Sequence, residues 1–236
     1  MKTRVFLIVL QMMFFCNVCR AQDYNKSYDI KDFTEIVANS FVHVTFTQGD
    51  EYAVSANANT DVLDKLKISK KGKSLKIDYT GKTSKTETIA NVVITAPTLL
   101  KLELNGAPVF YCHELKSSEP LILTLHGASN LKSDMITCES LEMNADGAVS
   151  LDTDFNVQGL ANFVLAGAVQ GFTEVAAEKV VMKNSGAVNL TMKLNTKEIN
   201  VGNAGAVELT LTGKANRTRF TNSGASTINS RQLNRF

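Results

Sequence analysis

Apolar and polar residues alternate through the second half of the chain in a pattern that returns about every twenty residues. Its clearest copies are Met182–Leu190 and Val201–Leu209, which share an Asn, a Gly-Ala-Val run and a closing Leu. Successive Gly-Ala pairs lie 21, 20, 20, 19, 19 and 19 residues apart. A nearly constant period of this length is typical of stacked repeats. The seven marker glycines are Gly106, Gly127, Gly147, Gly167, Gly186, Gly205 and Gly224.

Each copy has strand periodicity on both sides of its glycine. Before Gly127, the apolar residues Leu121, Leu123 and Leu125 fall at every second position, and the alternation resumes after the glycine in copies such as Val188–Met192. A spacing of two indicates a strand with one buried face, and it does not fit a helix. Each copy is therefore predicted to contain a strand, a Gly-Ala corner, a second strand and a short return segment.

The equivalence of the copies predicts how they associate. A hairpin meander would reverse the direction of alternate copies, whereas a coil gives equivalent residues of every copy the same environment. We therefore predict an all-β protein in which residues 98–236 form a parallel β-helix with about 19–21 residues per rung. Equivalent residues of neighbouring rungs would stack about 4.8 Å apart.

The glycines and asparagines of the repeat have structural interpretations. We assign the seven glycines to corners, because a sharp corner often requires a positive φ, which glycine adopts without steric cost. Asn184, Asn203 and Asn222 occupy the inward phase, two residues before their glycines. Their stacked side-chain amides could bond to one another as an asparagine ladder. The alternative is that these residues only fill turn positions.

Residues 22–97 precede the repeats and have irregular spacing. Val42–Gln48 alternates as a strand, Asp61–Lys65 fits one helical turn, and Lys67–Tyr79 fits a hairpin whose lysines suit a solvated sheet edge. We predict that this segment is an irregular, β-rich N-terminal capping region that covers one end of the coil. A small separate β-domain is the alternative.

Residues 1–21 have the features of a secretory signal peptide. Lys2 and Arg4 precede the apolar run Val5–Phe15, and Ala21 is a small residue at the predicted cleavage site. A membrane anchor is less suitable, because the run is short for a bilayer span and a glutamine interrupts it. The mature chain is therefore predicted to be extracytoplasmic (periplasmic, associated with the outer membrane, or secreted) and to have no transmembrane span.

Removal of this segment changes the charge of the chain. The full sequence has a formal net charge of +2, but loss of Lys2, Arg4 and Arg20 leaves 22 basic residues against 23 acidic ones. Nucleic acid is therefore not expected as a partner. The hydrophobic fraction of 44% and the charged fraction of 20% are typical of a globular protein.

Two of the four cysteines, Cys112 and Cys138, remain in the mature chain. They lie six and eleven residues after their preceding marker glycines, so they do not occupy equivalent rung positions. A disulfide is compatible with an exported protein, and a pair of buried free thiols is the alternative. Neither cysteine has a metal-like or catalytic spacing to a histidine.

The best candidate for surface chemistry is a polar group on one face of the coil. His126 and Asp146 occupy the same position one rung apart, and Asp152 follows on the turn that contains Asp146. These side chains form a candidate surface site for acid–base chemistry or a cation; a plain outward polar ladder is the alternative. The outward residues Tyr111 and Phe172 could stack on sugar rings. No spacing predicts a catalytic triad, a phosphate loop, a metal site or a cofactor.

The segments Val42–Asp50 and Ser74–Ile77, followed by the phrases Ser185–Ala187 and Ser223–Ala225, resemble the head GIN domain of auto-transporter adhesins. Members of this family are exported bacterial proteins, common in the Bacteroidetes. The resemblance implies a right-handed parallel β-helix outside the cytoplasm, and it brings no catalytic residues.

The expected function is that of a non-catalytic cell-envelope protein, an adhesin or surface scaffold that presents a β-helical face. A cell-surface glycan or another envelope protein is the expected partner. The alternative is a β-helix that binds carbohydrate, or that cleaves polysaccharide as a lyase or hydrolase, at the His126/Asp146 face.

Overall fold

The computed structural model describes residues 24–81 and 89–235. The predicted signal peptide, residues 1–21, lies outside the described residues. The described chain contains fourteen strands and one short helix, which confirms the prediction of an all-β protein. The elements are β1 (Tyr24–Tyr28), β2 (Glu35–Ser40), β3 (Val42–Gln48), β4 (Ala53–Ala58), α1 (Thr60–Lys65), β5 (Leu66–Lys71), β6 (Ser74–Tyr79), β7 (Ala90–Ala96), β8 (Lys101–Gly106), β9 (Val109–Lys116), β10 (Leu121–Gly127), β11 (Asn130–Cys138), β12 (Leu141–Val157), β13 (Leu160–Ser223) and β14 (Ser226–Asn234).

The strands of the second half pair in parallel with the register that the sequence period requires. Strand β10 pairs with β12 so that Leu121 faces Leu141 and Gly127 faces Gly147. Strand β12 continues in the same way against β13, where Gly147 faces Gly167. After the corner, β11 pairs in parallel with both β9 and β12. Residues about twenty positions apart are therefore neighbours in the sheet.

The parallel pairing extends into the N-terminal region. Strand β2 pairs in parallel with β8, and β3 pairs in parallel with β9, so residues 35–48 pair with residues 101–112 in the way that the later repeats pair with one another. Ser40 lies between β2 and β3, has a φ of +70° and faces Gly106. Because serine stands there instead of glycine, the spacing of the glycines alone does not reveal this pairing.

The N-terminal end of the sheet is antiparallel. Strand β4 pairs antiparallel with β1 and β7, and β5 pairs antiparallel with β6 in the predicted hairpin. The whole sheet is therefore mixed, rather than parallel throughout. Helix α1 lies between β4 and β5; the Asn59 side chain caps it by accepting a hydrogen bond from the Val62 backbone amide at 2.9 Å. Val62 and Leu63 are buried, so this helix covers apolar residues at the end of the stack.

The alternation seen in the sequence produces the core. Leu121, Leu123 and Leu125 of β10 are at most 1% exposed, whereas the residues between them are partly or fully exposed. Aromatic rings fill the core between neighbouring turns, and the rings of Phe155 and Phe163 meet edge to face with centroids 5.9 Å apart. Burial of these apolar side chains supplies the main driving force for the stack.

The C-terminal end of the stack differs from the N-terminal end. Strand β14 pairs only with β13 among the described strands, and its residues are exposed or half-buried. Phe220, Ile228 and Leu233 pack on the core but remain partly exposed. Antiparallel pairs thus occur among the N-terminal strands, while β14 at the C-terminal end pairs in parallel with β13. No helix in the described part of the chain has the length and apolar content of a membrane span.

Candidate functional site

The marker glycines stack directly on one another. All seven have φ between +74° and +132°. A Cβ atom added to Gly186 would lie 2.7 Å from both the backbone nitrogen and the carbonyl oxygen of Gly167. That separation is too short for any side chain, and the backbone on both sides of the contact cannot move aside. These corners therefore fix the path of the chain and leave little room for chemistry.

The three predicted ladder asparagines lie in one column. The Asn184 side-chain amide donates to the Asn203 carbonyl oxygen at 2.8 Å, and the Asn203 amide donates to the Asn222 carbonyl oxygen at 3.0 Å. Asn184 and Asn203 are 2% and 4% exposed, whereas Asn222 lies on the open last turn and is exposed. The turn before Asn184 carries Leu165 in this column, which explains why the buried Asn184 Oδ1 has no partner.

The structure brings His126 and Asp146 together but places Asp152 apart from them. His126 Nδ1 lies 3.9 Å from an Asp146 carboxylate oxygen, and both side chains are well exposed, at 46% and 72%. Asp152 lies beyond the Gly147 corner, where its carboxylate pairs with Lys132 Nζ at 3.1 Å. The candidate surface site therefore reduces to a solvated histidine–aspartate pair.

A chain of amides extends the His126 column toward the N-terminal end. The Asn105 amide donates to the Asn39 carbonyl oxygen at 2.9 Å, and the Asn39 amide donates to Asp78 at 2.6 Å. Asn105 also donates to Glu103, and this hydrogen bond is the main reason why the pKa of Glu103 lies below its usual value. Hydrogen bonds therefore connect the N-terminal part of this polar column, from Asn105 to Asp78.

The two outward aromatic residues, Tyr111 and Phe172, lie in one column of the sheet. Tyr111 faces Lys132, Lys132 faces Asp152, and Asp152 faces Phe172. Phe172 is 47% exposed. The charged residues separate the two aromatic rings, so they do not form a continuous stacking platform.

Ion pairs between neighbouring turns cover much of the remaining surface, and sequence reasoning missed them. Their partners are separated by the repeat period, so a search for opposite charges 19–21 residues apart would have found them. The pairs are Lys132–Asp152, Lys193–Glu174, Lys197–Glu178, Lys179–Glu198 and Arg217–Glu198, and a hydrogen bond joins His113 and Asp134 in the same way.

A cationic cleft of about 500 Å³ lies on the last three turns. Glu198 is at its centre; one carboxylate oxygen lies 2.9 Å from Lys179 Nζ and the other lies 3.0 Å from Arg217 Nη2. The hydrogen bond from Lys179 is the largest influence that holds the pKa of Glu198 below its usual value. Arg219 and Arg235 also line the cleft, and neither pairs with a carboxylate of the described residues.

The two cysteines are buried free thiols rather than a disulfide. Cys112 Sγ donates to the Ser133 hydroxyl at 3.3 Å. Burial raises the pKa of Cys112 and raises that of Cys138 to about 11, which favours the protonated form of both thiols at neutral pH. In residues 24–81 and 89–235, no three His, Cys, Asp or Glu side chains converge as a metal site.

Parallel in-register strands in the second half, stacked glycines and ion pairs between residues one repeat apart define an all-β protein with a mixed sheet. The chain belongs to the family described as "Putative auto-transporter adhesin, head GIN domain", whose model matches residues 32–184. This membership confirms the resemblance found in the sequence.

Solved structures share the fold. A putative adhesin from Bacteroides fragilis matches with a TM-score of 0.73 and 17% identity over 91% of this chain and 98% of that one. A putative adhesin from Parabacteroides distasonis matches with a TM-score of 0.62 and 15% identity over 91% of this chain and 97% of that one. A putative lipid binding protein from the same species matches with a TM-score of 0.52 and 15% identity over 91% of this chain and 96% of that one. At these identities the likeness shows the fold alone. A search of curated proteins finds no match to this sequence.

Proposed function

We propose that this chain is a non-catalytic, exported adhesin or surface scaffold of the cell envelope. Residues 1–21 direct export and are removed, residues 22–97 cap one end of the stack, and residues 98–236 wind as a right-handed parallel β-helix. The parallel registers of 19–21 residues support the coil, and family membership supports a place outside the cytoplasm.

The observation that carries this proposal is the character of the outer surface. Charged side chains of neighbouring turns neutralise one another in columns, and the corners between them are too tight to hold side chains. Such a surface is rigid and extended, which suits contact with a large partner. A cell-surface glycan or an envelope protein is the proposed partner class.

The test is binding of the labelled protein without residues 1–21 to intact bacterial cells and to isolated envelopes, measured by flow cytometry and sedimentation. We expect saturable binding that survives His126→Ala and Asp146→Ala, because the proposed scaffold does not depend on that pair. A protein that binds neither cells nor envelopes would contradict the proposal. Bovine serum albumin labelled in the same way controls for non-specific adhesion.

A second candidate is carbohydrate binding or polysaccharide cleavage at the His126/Asp146 pair. The exposure of both side chains and their 3.9 Å separation favour it, because a histidine beside a carboxylate can accept and return a proton. Cleavage would release reducing ends from a polysaccharide, and both alanine variants would abolish it. Glycan binding without cleavage that both variants also lose would support a binding site instead.

A further inference from the structure

The cationic cleft on the last turns is lined by more basic than acidic side chains. Lys179, Glu198 and Arg217 occupy one position on three successive turns, 19 residues apart. Among the described residues that line this cleft, Glu198 is the only one with a carboxylate, and it already bridges the other two side chains. Arg219 and Arg235 add positive charge without a carboxylate of their own among the described residues.

The charge of this cleft contrasts with that of the chain around it. Its four basic side chains face one acidic side chain, a local excess of three positive charges. Some lysines elsewhere on the later turns are matched, as Lys193 is by Glu174 at 2.9 Å and Lys197 is by Glu178. An anionic ligand would therefore find unneutralised charge in this cleft, and the potential of this patch would attract it.

The uncharged residues that line the cleft indicate which kind of molecule carries the negative charge of the ligand. Asn200, Asn216 and Thr218 line the cleft beside the arginines, and amides and hydroxyls of this kind can exchange hydrogen bonds with sugar hydroxyls. The Asn200 amide is held in place by its 2.8 Å hydrogen bond to Glu198. A volume of about 500 Å³ lies within the usual range for sites that hold small ligands.

We propose that this cleft binds an acidic saccharide, in which the arginines hold a sulfate, phosphate or carboxylate group and the amides and hydroxyl hold the sugar ring. Guanidinium groups match such oxyanions because their planar forks can donate two parallel hydrogen bonds. The inference deepens the proposed adhesin function by naming its partner class. It uses a different face from the His126/Asp146 pair.

The described residues of the lining do not favour two other ligand classes. They include no aromatic side chain, so they offer no platform on which a neutral sugar ring or an unpaired nucleic-acid base would stack. Selectivity in this cleft therefore depends on the charge of the saccharide. A neutral oligosaccharide of equal length has no group that would engage Arg219.

The test is isothermal titration of the protein without residues 1–21 at low and at physiological salt. The probes are a chondroitin sulfate hexasaccharide, a hexagalacturonate, neutral maltohexaose and inorganic sulfate. We expect one or both acidic oligosaccharides to bind, with affinity that falls as salt rises. Maltohexaose should not bind, and inorganic sulfate should bind at least about tenfold more weakly than the acidic oligosaccharide.

Arg219→Gln is the decisive variant, and Arg231→Gln is its matched control. Both remove one exposed charge from the last turns, but Arg231 does not line this cleft. We expect Arg219→Gln to weaken binding about tenfold, Arg219→Lys to weaken it less, and Arg231→Gln to leave it within about twofold. Because these side chains are exposed, circular dichroism should show an unchanged fold in all three variants.

An equal loss of affinity in Arg219→Gln and Arg231→Gln would overturn the proposal, because it would show general attraction between charges instead of binding in the cleft. Absence of binding to both acidic probes at low salt would also overturn it, as would equal affinity for inorganic sulfate. The proposed adhesin function fails separately, when a protein that binds acidic saccharide in solution does not bind cells or envelopes.

Discussion

The side-chain amide of Asn184 donates a hydrogen bond to the side-chain carbonyl of Asn203, 19 residues further along the chain and one turn higher in the stack. Both residues are almost fully buried. Truncation of the Asn203 side chain would leave the buried Asn184 amide without its hydrogen-bond acceptor. We expect Asn203→Ala to lower the free energy of unfolding by about 1–3 kcal/mol, measured by urea denaturation.

Asn222 provides the control for this prediction. It accepts the next bond of the ladder, from Asn203 at 3.0 Å, but its own side chain is exposed on the last turn. Water can replace its contribution, so Asn222→Ala should cost less than about 1 kcal/mol. Equal costs for the two variants would show that burial does not control the strength of the ladder.

Substitution at the Gly186 corner should be severe. Gly186 has a φ of +96°, and an added Cβ would lie 2.7 Å from backbone atoms of Gly167. We expect Gly186→Val to destabilise the protein by several kcal/mol, roughly 3–5, because strain and a backbone clash coincide. The melting temperature followed by circular dichroism measures the loss.

Gly202 is the matched control within the same part of the stack. Its backbone does not require a positive φ, and an added Cβ would meet only the Met182 carbonyl oxygen, at 3.9 Å. Gly202→Ala should therefore leave the melting temperature almost unchanged. An undisturbed Gly186→Val protein would refute the assignment of these glycines to corners.

Cys138 should resist thiol reagents while the protein is folded. Burial raises its pKa to about 11, above its ordinary value of 9.0. At pH 8, labelling with iodoacetamide should be slow in buffer and fast in urea, with Cys112→Ser used so that one thiol is followed. Rapid labelling of the native protein would show that the thiol is accessible.

The same shift sets a pH dependence for stability. The unfolded thiol loses its proton near pH 9, whereas the folded thiol keeps it until about pH 11. The contribution of Cys138 to stability is therefore complete below pH 9 and is lost as pH rises through 11. The free energy of unfolding, measured by urea denaturation, should fall more steeply with pH over this range for the native protein than for Cys138→Ala.

Glu198 makes the stability of the protein depend on pH in the acid range. The hydrogen bond from Lys179, and then that from Asn200, hold its pKa below the ordinary value of 4.5. Its contribution to stability is therefore fully present above pH 4.5 and is lost as pH falls through the lowered pKa. The small difference in melting temperature between the native protein and Glu198→Gln should persist at pH 5 and vanish in stronger acid.

The sequence alone predicts those features that recur in every repeat. Alternation at Leu121, Leu123 and Leu125 predicted strands with one buried face, and the spacing of Gly127 and Gly147 predicted which residues become neighbours. These features depend on packing that repeats from turn to turn. Their pattern is therefore visible without knowledge of the rest of the fold.

Features that depend on one end or one corner were harder to predict. Ser40 turns a corner without glycine, so the turn formed by β2 and β3 has no marker in the sequence. Asp152 follows Asp146 in sequence, but the intervening corner at Gly147 directs it to another face. The cleft around Glu198 is formed by charged residues one period apart, at positions remote from the glycine that marks each repeat.

Among the described strands, β14 pairs only with β13, and its other edge has an evolutionary consequence. The backbone amides and carbonyls of that edge form a template on which another unit of nineteen residues would dock as its predecessors did. Each duplication would extend the molecule by about 4.8 Å while the layers beneath stayed unchanged. Related chains can therefore differ in length without changes to the strands that they share.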